Sequence, residues 1–443
     1  MKRKQLGNPR DAALFVLMDV DKNQAYSNLL LTKHMNQHKI AGIDKGLMTE
    51  LTYGTLQHKM TLDFFLAPFI KGKLENWVQW VLRMAVYQIH YLDRIPNHAV
   101  VNEAVQLAKY HGHKGVSGLV NGVLRAFLRE GAPSFDSIKD PLERLSIETS
   151  HPEWMLENWI QAFGFEKTEQ IARQNNVAPP QTIRVNTMKI SIDDAIQALE
   201  SEGFTVRKGI LPESLHVAGK TAATSALFAS GQFTIQDESS MMPAHALQLE
   251  KGMSVLDMCA APGGKTTHIA QLLANTGHIT ALDLHENKLK YIHENAERLG
   301  FTHISTVAAD ARQAQEVLEQ KQFDRILVDA PCSGYGVIRR KPDMKYAKKP
   351  QDAERLATIQ LAILNEAYSL LSPGGILVYS TCTIEPTEND EVIDAFLHSH
   401  QDMQELSLPD VFTALPHGAA KVGHQVLPYP DGDGFYVVAL QKA

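Results

Sequence analysis

Between residues 10 and 130 the apolar side chains recur every third or fourth position. The stretches are Asp11–Leu17, Asp44–Leu56, Leu74–Leu92 and Val100–Tyr110, each with the period of a helix that buries one face. Strand-type alternation is nearly absent there, so the pattern predicts an all-α bundle. Ile95-Pro96 ends one helix, and Asn97-His98-Ala99 reads as the cap of the next. Gly131-Ala-Pro-Ser134 closes the region, which gives a first domain over residues 1–135. Over residues 145–230 the pattern changes. Helices at Trp154–Phe163, Lys167–Asn175 and Ile192–Glu202 mix with a strand at Thr182–Val185, the Pro179-Pro180 break and further short strands: a small α+β module. A third region, residues 231–443, begins with Gly231–Ser240 and then alternates strand with helix. Strands are expected at Val255–Met258, Ile279–Leu282, Ser305–Val307, Arg325–Val328 and Ile376–Tyr379. Helices are expected to Leu273, over 286–299 and over 352–371. That rhythm means βαβ units on a parallel sheet. The last strand, Phe435–Leu440, follows the Asp431–Gly434 turn, has no helix after it and is expected antiparallel at the sheet edge.

Length and composition leave this multidomain picture intact. At 443 residues the chain exceeds one ordinary core. No stretch approaches the roughly 20 apolar residues of a membrane span, and no secretory h-region follows the basic Met1–Lys4; the expectation is a cytoplasmic protein without a membrane partner. The three cysteines, Cys259, Cys332 and Cys382, are too few and odd in number for a disulfide framework. None lies in a metal-ligand pattern, and His90, His98, His111 and His113 have no carboxylate or cysteine partner at ligand spacing, so no metal is expected. The net charge of −7 hides an asymmetry. Residues 1–140 hold 18 Lys+Arg against 12 Asp+Glu, a surplus of +6, which leaves −13 for the rest. A basic module joined to an acidic one suits an RNA-binding arm, although such asymmetry also arises without function. The Lys109–Lys114 turn reads equally as a phosphate-contacting loop or a surface connection.

The chemistry concentrates after residue 254. An apolar strand runs into Cys259-Ala-Ala-Pro-Gly-Gly-Lys265 and then a helix, the arrangement by which α/β enzymes present backbone N–H groups to a nucleotide-type ligand. Asp283, Asp310 and Asp329 end the next three strands. One strand-end aspartate alone reads equally well as a helix cap; three over one glycine turn make a nucleoside pocket. A dinucleotide would want G-x-G-x-x-G, which is absent, whereas S-adenosylmethionine, having no phosphates, needs only one close backbone approach. Cys332 and Cys382 also fall at strand ends. A methyl donor, paired thiols and a carboxylate form the inventory for cytosine C5 methylation. A thiolate adds at C6, an acid at N3 takes up the charge, and a base removes the C5 proton. Spacing leaves open which thiol attacks.

Cys259–Lys265, Asp329-Ala-Pro-Cys-Ser-Gly334 with Arg339–Lys345, Ser380-Thr-Cys-Thr383 with Glu388-Asn389, and the Gln236–Ser240 lead-in resemble the motifs of RNA 5-methylcytosine methyltransferases. Val101–Lys109 and Gly118–Arg125 resemble a NusB-like RNA-binding domain, with Gly122 where that pattern usually has Ala. The combination is similar to the bacterial RsmB (Sun/Fmu) family over nearly the whole chain. The resemblance implies an all-α NusB-like bundle, a small α+β module and a Rossmann-like class I methyltransferase domain. It further implies that Cys382 is the nucleophile, that Cys332 helps release the product and that Asp329 serves catalysis. It assigns Cys259, Ala260, Ala261, Pro262, Gly263, Gly264, Lys265, Asp283, Asp310 and Asp329 to S-adenosylmethionine. The implied substrate is a cytosine of 16S rRNA, free or in an assembly intermediate, turned out of its stack and met by a monomer. Arg339, Arg340 and Lys345 then gain a role at the RNA backbone, although a charge run is usually a solvated face. Two rivals stay open: the same chemistry on tRNA, and a non-catalytic RNA-binding assembly factor.

Overall fold

The amphipathic stretches at the start of the chain become helices over Pro9–Asn23, Asp44–Gln57, Asn76–Tyr91 and Asn97–His111. Between them run Ser27–Gln37 and Lys59–Leu66, which the periodicity does not separate because no Gly or Pro breaks the chain before either. The computed structural model describes residues 6–23, 27–418 and 420–443; the basic Met1–Lys4 lies outside them. The helix after Pro96 begins at Asn97 without a side-chain cap, so the expected Asn97-His98-Ala99 cap is already helix: the extended backbone of Pro96 supplies the N-terminal boundary. Lys114–Glu130 completes the bundle, whose core includes Leu14, Leu51, Trp80, Val86, Leu107 and Leu124. His111, in the turn expected at the surface, is buried, and its Nε2 lies 2.6 Å from Asp11 Oδ1.

By contacts the chain divides into two units. The first holds residues 1–177 together with 338–348; the second holds 178–337 and 349–443. Helices Pro141–Thr149, Glu153–Phe163 and Phe165–Gln174 group with the helical bundle. The short segment 338–348 is a structural part of that bundle. Asp343 Oδ1 accepts the Ser27 hydroxyl at 2.5 Å, and the Tyr346 hydroxyl meets Ser150 Oγ at 2.8 Å.

The second unit contains two sheets. Strands β1 (Gln181–Val185), β2 (Thr205–Lys208), β3 (Ser214–Ala218) and β4 (Phe233–Ile235) pair antiparallel in the order β2-β3-β1-β4. Ile183, Val185, Leu215 and Phe233 bury against the helix Ile192–Ser201 on the inner face. The larger sheet comprises β5 (Ser254–Asp257), β6 (His278–Asp283), β7 (Ile304–Ala308), β8 (Phe323–Asp329), β9 (Leu371–Thr381), β10 (Met403–Glu405), β11 (His424–Val426) and β12 (Phe435–Lys442). Its order is β10-β12-β9-β8-β5-β6-β7, with β11 paired to β12. The pairs β5·β6, β6·β7, β5·β8 and β8·β9 are parallel, whereas β12 is antiparallel to β9. The terminal strand therefore has the expected direction, but it is not the edge. β10, with three residues too short to show a pattern, lies outside it. The chain leaves β5 toward β6 on one side and returns to β8 on the other. The loop after β5 thus occupies the switch point where open α/β sheets place their ligand.

Candidate active site

After Asp257 the backbone turns through Met258–Gly263 before the helix Gly264–Leu272. Gly263 has φ +98°, and a Cβ there would meet Ile292 Cα at 3.0 Å, so glycine alone passes. A Cβ on Gly264 would meet nothing within 4 Å: the loop's inner surface is open. It borders a cavity of about 200 Å³ between Gln236, Asp237 and Ser240 on one side and Asp257, Cys259, Lys265 and Asp329 on the other.

The strand-end carboxylates divide in their roles. Asp283 braces the loop, accepting the Ala261 N–H at 3.1 Å and the His285 N–H at 2.9 Å. Asp310 caps the turn Ala311–Gln313 and pairs with the Arg312 guanidinium at 2.5 Å, a bond that also lowers its pKa. Both stand outside the cavity, which Asp257 and Asp329 line. Asp257 was not among the site residues expected from sequence. It is buried, accepts the Thr266 hydroxyl at 2.7 Å, and its second oxygen has no hydrogen-bond partner. Burial pushes its pKa up to about 7. The available signal was a carboxylate closing an apolar strand just before a glycine turn.

Parallel pairing of β8 with β9 sets Asp329 opposite Ser380. The Asp329 carboxylate accepts from Lys265 Nζ at 2.8 Å and from the Ser380 hydroxyl at 2.9 Å. The loops that follow these strands bring Cys332 Sγ to 3.4 Å from Cys382 Sγ. Several bonds tie the loops together. The Gly336 N–H donates to the Cys382 carbonyl at 3.0 Å, and the Gly434 N–H to the Gly336 carbonyl at 2.9 Å. A Cβ on Gly336 would sit 2.1 Å from the Gly434 oxygen. Glu388 is fully buried; its Oε2 accepts the Ser333 N–H and the Gln360 amide, both at 2.9 Å. Asn389 takes the Thr381 hydroxyl at 2.6 Å and donates to the Thr383 carbonyl at 3.1 Å. Glu388 and Asn389 therefore hold the thiol loops in place.

The two thiols interact electrostatically. The hydrogen bond with Cys382, then burial, pushes the Cys332 pKa well up, so Cys332 keeps its proton and can donate it. The Lys265 ammonium is close enough to feel the charge of Cys382. Cys259 is held as a neutral thiol by burial and packs against the core behind the loop.

Over 439 residues the chain is 50% identical to the probable ribosomal RNA small subunit methyltransferase B of Bacillus subtilis (strain 168), covering 98% of each chain. The chain belongs to the RsmB family. The model of the family 16S rRNA methyltransferase RsmB/F matches residues 244–441, the NusB family model residues 7–129, and an RsmF/B-like ferredoxin-like domain residues 151–224. This RsmB-family chain therefore has the expected NusB-like helical region, small middle domain and methyltransferase domain. Among solved structures, a methyltransferase homolog protein from Pyrococcus horikoshii matches with TM-score 0.61 and 29% identity, over 69% of this chain and all of that one. NSun6 from Pyrococcus horikoshii, solved with SFG, matches with TM-score 0.60 and 25% identity, over 66% and 98%.

One group of expected residues is placed differently from the reading of the charge run. Lys345 belongs to the helical unit and is fully buried. Its ammonium donates to the carbonyls of Gln57 (3.1 Å) and Thr149 (3.3 Å) and to Asn176 Oδ1 (2.8 Å). Arg339 is 4% exposed, and Arg340 is half-buried. Lys345 thus meets three internal oxygen acceptors instead of facing a phosphate, and burial pushes its pKa well down. The exposed cations of the run are Lys341 and Lys349. Among the described residues no helix is long and apolar enough to cross a membrane.

Proposed function

We propose that this RsmB-family 16S rRNA methyltransferase transfers a methyl group from S-adenosylmethionine to carbon C5 of a cytosine, with Cys382 as the attacking thiolate. The pairing of two thiols at 3.4 Å on the strand edge that carries Asp329 carries this reading. Methyl transfer to nitrogen or oxygen has no use for a thiol, whereas C5 is a poor nucleophile until a thiolate adds at C6.

The residues fit the cofactor. An open glycine turn, the orphaned Asp257 oxygen and the Asp283-braced loop surround a cavity suited to a nucleoside without phosphates. NSun6 of Pyrococcus horikoshii was solved with SFG, an analogue of S-adenosylmethionine. Cys259–Lys265 would hold it, with Asp283 behind the loop, Asp310 at the neighbouring strand end and Asp329 between it and the base. When bound, it supplies the electrophilic methyl carbon that the C5 enamine takes up.

The chain's own residues perform the remaining steps. Cys382, acting as the thiolate with the Cys332 thiol and the Lys265 charge nearby, forms the S–C6 bond. The displaced electrons run through C5 and C4 to N3, which takes a proton from the Lys265–Asp329 pair. After methylation N3 returns its proton to the Lys265–Asp329 pair, a base removes the C5 proton, C5=C6 re-forms and the Cys382 thiolate leaves, assisted by Cys332. The enzyme acts in the cytoplasm as a monomer on 16S rRNA, free or in an assembly intermediate. Its sequence modules span residues 1–135, 145–230 and 231–443, whereas by contacts the chain to residue 177 groups with the bundle.

Labelled methyl transfer to unmodified 16S rRNA, with bulk tRNA in parallel, tests the substrate. Activity on tRNA alone overturns the rRNA assignment, and binding without transfer to either RNA supports the assembly-factor reading. Cys382→Ala should be inactive, and Cys332→Ala should accumulate a denaturation-resistant RNA adduct. An adduct from Cys382→Ala instead reverses the two roles.

A further inference from the structure

Away from the thiol edge, ligand-type side chains from three separate elements of the second unit meet at one point. Glu213 stands immediately before β3, His245 lies on the helix Met242–Ala246, and His268 lies on the helix Gly264–Leu272. Glu213 Oε1 is 2.8 Å from His245 Nε2 and 2.6 Å from His268 Nε2, and the three atoms all lie within 4.8 Å of one another. Glu213 and His268 are buried, whereas the His245 side chain keeps 19% exposure, so water reaches one side of the group.

Hydrogen bonding accounts for one contact of this cluster, His245 Nε2 with Glu213 Oε1, and not for the other. Neither ring nitrogen of His268 has a hydrogen-bond partner, although Nε2 is in contact with the carboxylate. The 2.6 Å approach of His268 Nε2 to the carboxylate therefore lies outside ordinary hydrogen-bond geometry. The nearby Arg184 guanidinium does not fill the gap. It donates to Gln236, to the Gly264 carbonyl (2.8 Å) and to Thr267 Oγ1 (3.0 Å).

We propose that Glu213, His245 and His268 form a binding site for one divalent transition-metal ion. Two imidazoles and a carboxylate with a position open to water are a ligand set for zinc, and an N/O set of this kind does not suit magnesium or calcium. Ligand distances of about 2.1 Å in a tetrahedron put neighbouring donor atoms about 3.4 Å apart. Glu213 therefore draws back by roughly 0.6 to 0.8 Å as the ion enters. The ion fastens the helix that carries Lys265 in its first turn to the β3 strand of the smaller sheet. Its role is a brace behind the cofactor loop.

Cobalt titration of the chelator-treated full-length protein tests the site. The expected result is one equivalent bound, with the visible absorption of a tetrahedral nitrogen–oxygen site, no thiolate charge-transfer band, and displacement by zinc. His245→Ala, at the position with 19% exposure, and Glu213→Gln should each weaken binding by about 100-fold or more. The Cys332→Ser/Cys382→Ser double variant should bind as the parent does. Binding that vanishes with the two thiols, or His245→Ala binding cobalt as tightly as the parent, overturns the proposal; so does failure to bind cobalt at all. If Glu213→Gln does not fold, as judged by circular dichroism, His245→Ala alone decides.

Discussion

Asp257 offers the most quantitative test of the site's electrostatics. It closes β5 with 1% exposure and one oxygen unbonded, and burial raises its pKa from 3.8 to about 7. The proton is therefore held more tightly by the folded chain than by the unfolded one. Its stabilising contribution is complete below the unfolded pKa and is lost as pH rises toward about 7. A displacement of about 3 units corresponds to about 4 kcal/mol at the limit, and linkage between pH 5 and pH 8 retains about 2–3 kcal/mol of it. Other groups titrate over the same interval. His58 and His268 are pushed down to about 3 and His424 to about 4, while Glu385 is raised to about 7. These contributions are common to parent and variant and cancel in a comparison. Asp257→Asn keeps the size and the acceptor for Thr266 but cannot ionise. Urea unfolding followed by circular dichroism should show the variant gaining about 2–3 kcal/mol on the parent between pH 5 and pH 8. Trp77, Trp80, Trp154 and Trp159 all lie in the helical unit, so tryptophan emission supplies an internal comparison. A parent–variant difference that is flat with pH, or that slopes the other way, refutes the reasoning.

Three further substitutions probe the loops and the buried lysine. Glu388→Gln weakens the charge-assisted bonds to Ser333 N–H and Gln360, at about 1.5–3 kcal/mol each. Single-turnover methyl transfer should fall roughly 10- to 100-fold with cofactor affinity unchanged by calorimetry; an equal loss of affinity contradicts a role confined to the thiol loop. Gly336→Ala places a methyl 2.1 Å from the Gly434 oxygen and 2.8 Å from the Cys382 oxygen, which parts the loops. Transfer should drop about 100-fold while circular dichroism stays native, and full activity would refute the close approach. Lys345→Ala strips a donor from two carbonyls and the Asn176 amide oxygen and should cost the helical unit about 3 kcal/mol or more. An unchanged urea midpoint by tryptophan emission would refute the buried role.

The parts of this site visible in the sequence are those made by neighbours in the chain. Cys259–Lys265 announces its turn because an apolar strand, Pro-Gly-Gly and a helix start lie within a dozen residues, and a backbone approach of that kind needs glycine. The approach of Cys332 to Cys382 is different, because it depends on β8 and β9 pairing with Asp329 opposite Ser380. Strand-end placement put both thiols on one edge, and family resemblance supplied their separate roles. Asp310 has a local use that the strand-end pattern does not show: Arg312, two residues on, pairs with its carboxylate. Lys345 was misread because charge runs are judged by neighbours in sequence, whereas its acceptors come from Gln57, Thr149 and Asn176. Glu213, His245 and His268 are separated by 32 and 23 residues and show no motif until the fold gathers them.

The membership of residues 338–348 in the helical unit bears on how the polypeptide is made. A ribosome delivers the bundle's helices as far as residue 177 and then synthesises 160 residues of the other unit before Ile338 emerges. Until then the carbonyls of Gln57 and Thr149 lack the Lys345 ammonium, and Ser27 lacks Asp343. The first-made part of the chain is therefore among the last to be finished. The nascent bundle waits with an open seam, and a truncation before residue 338 leaves that seam without its native filling.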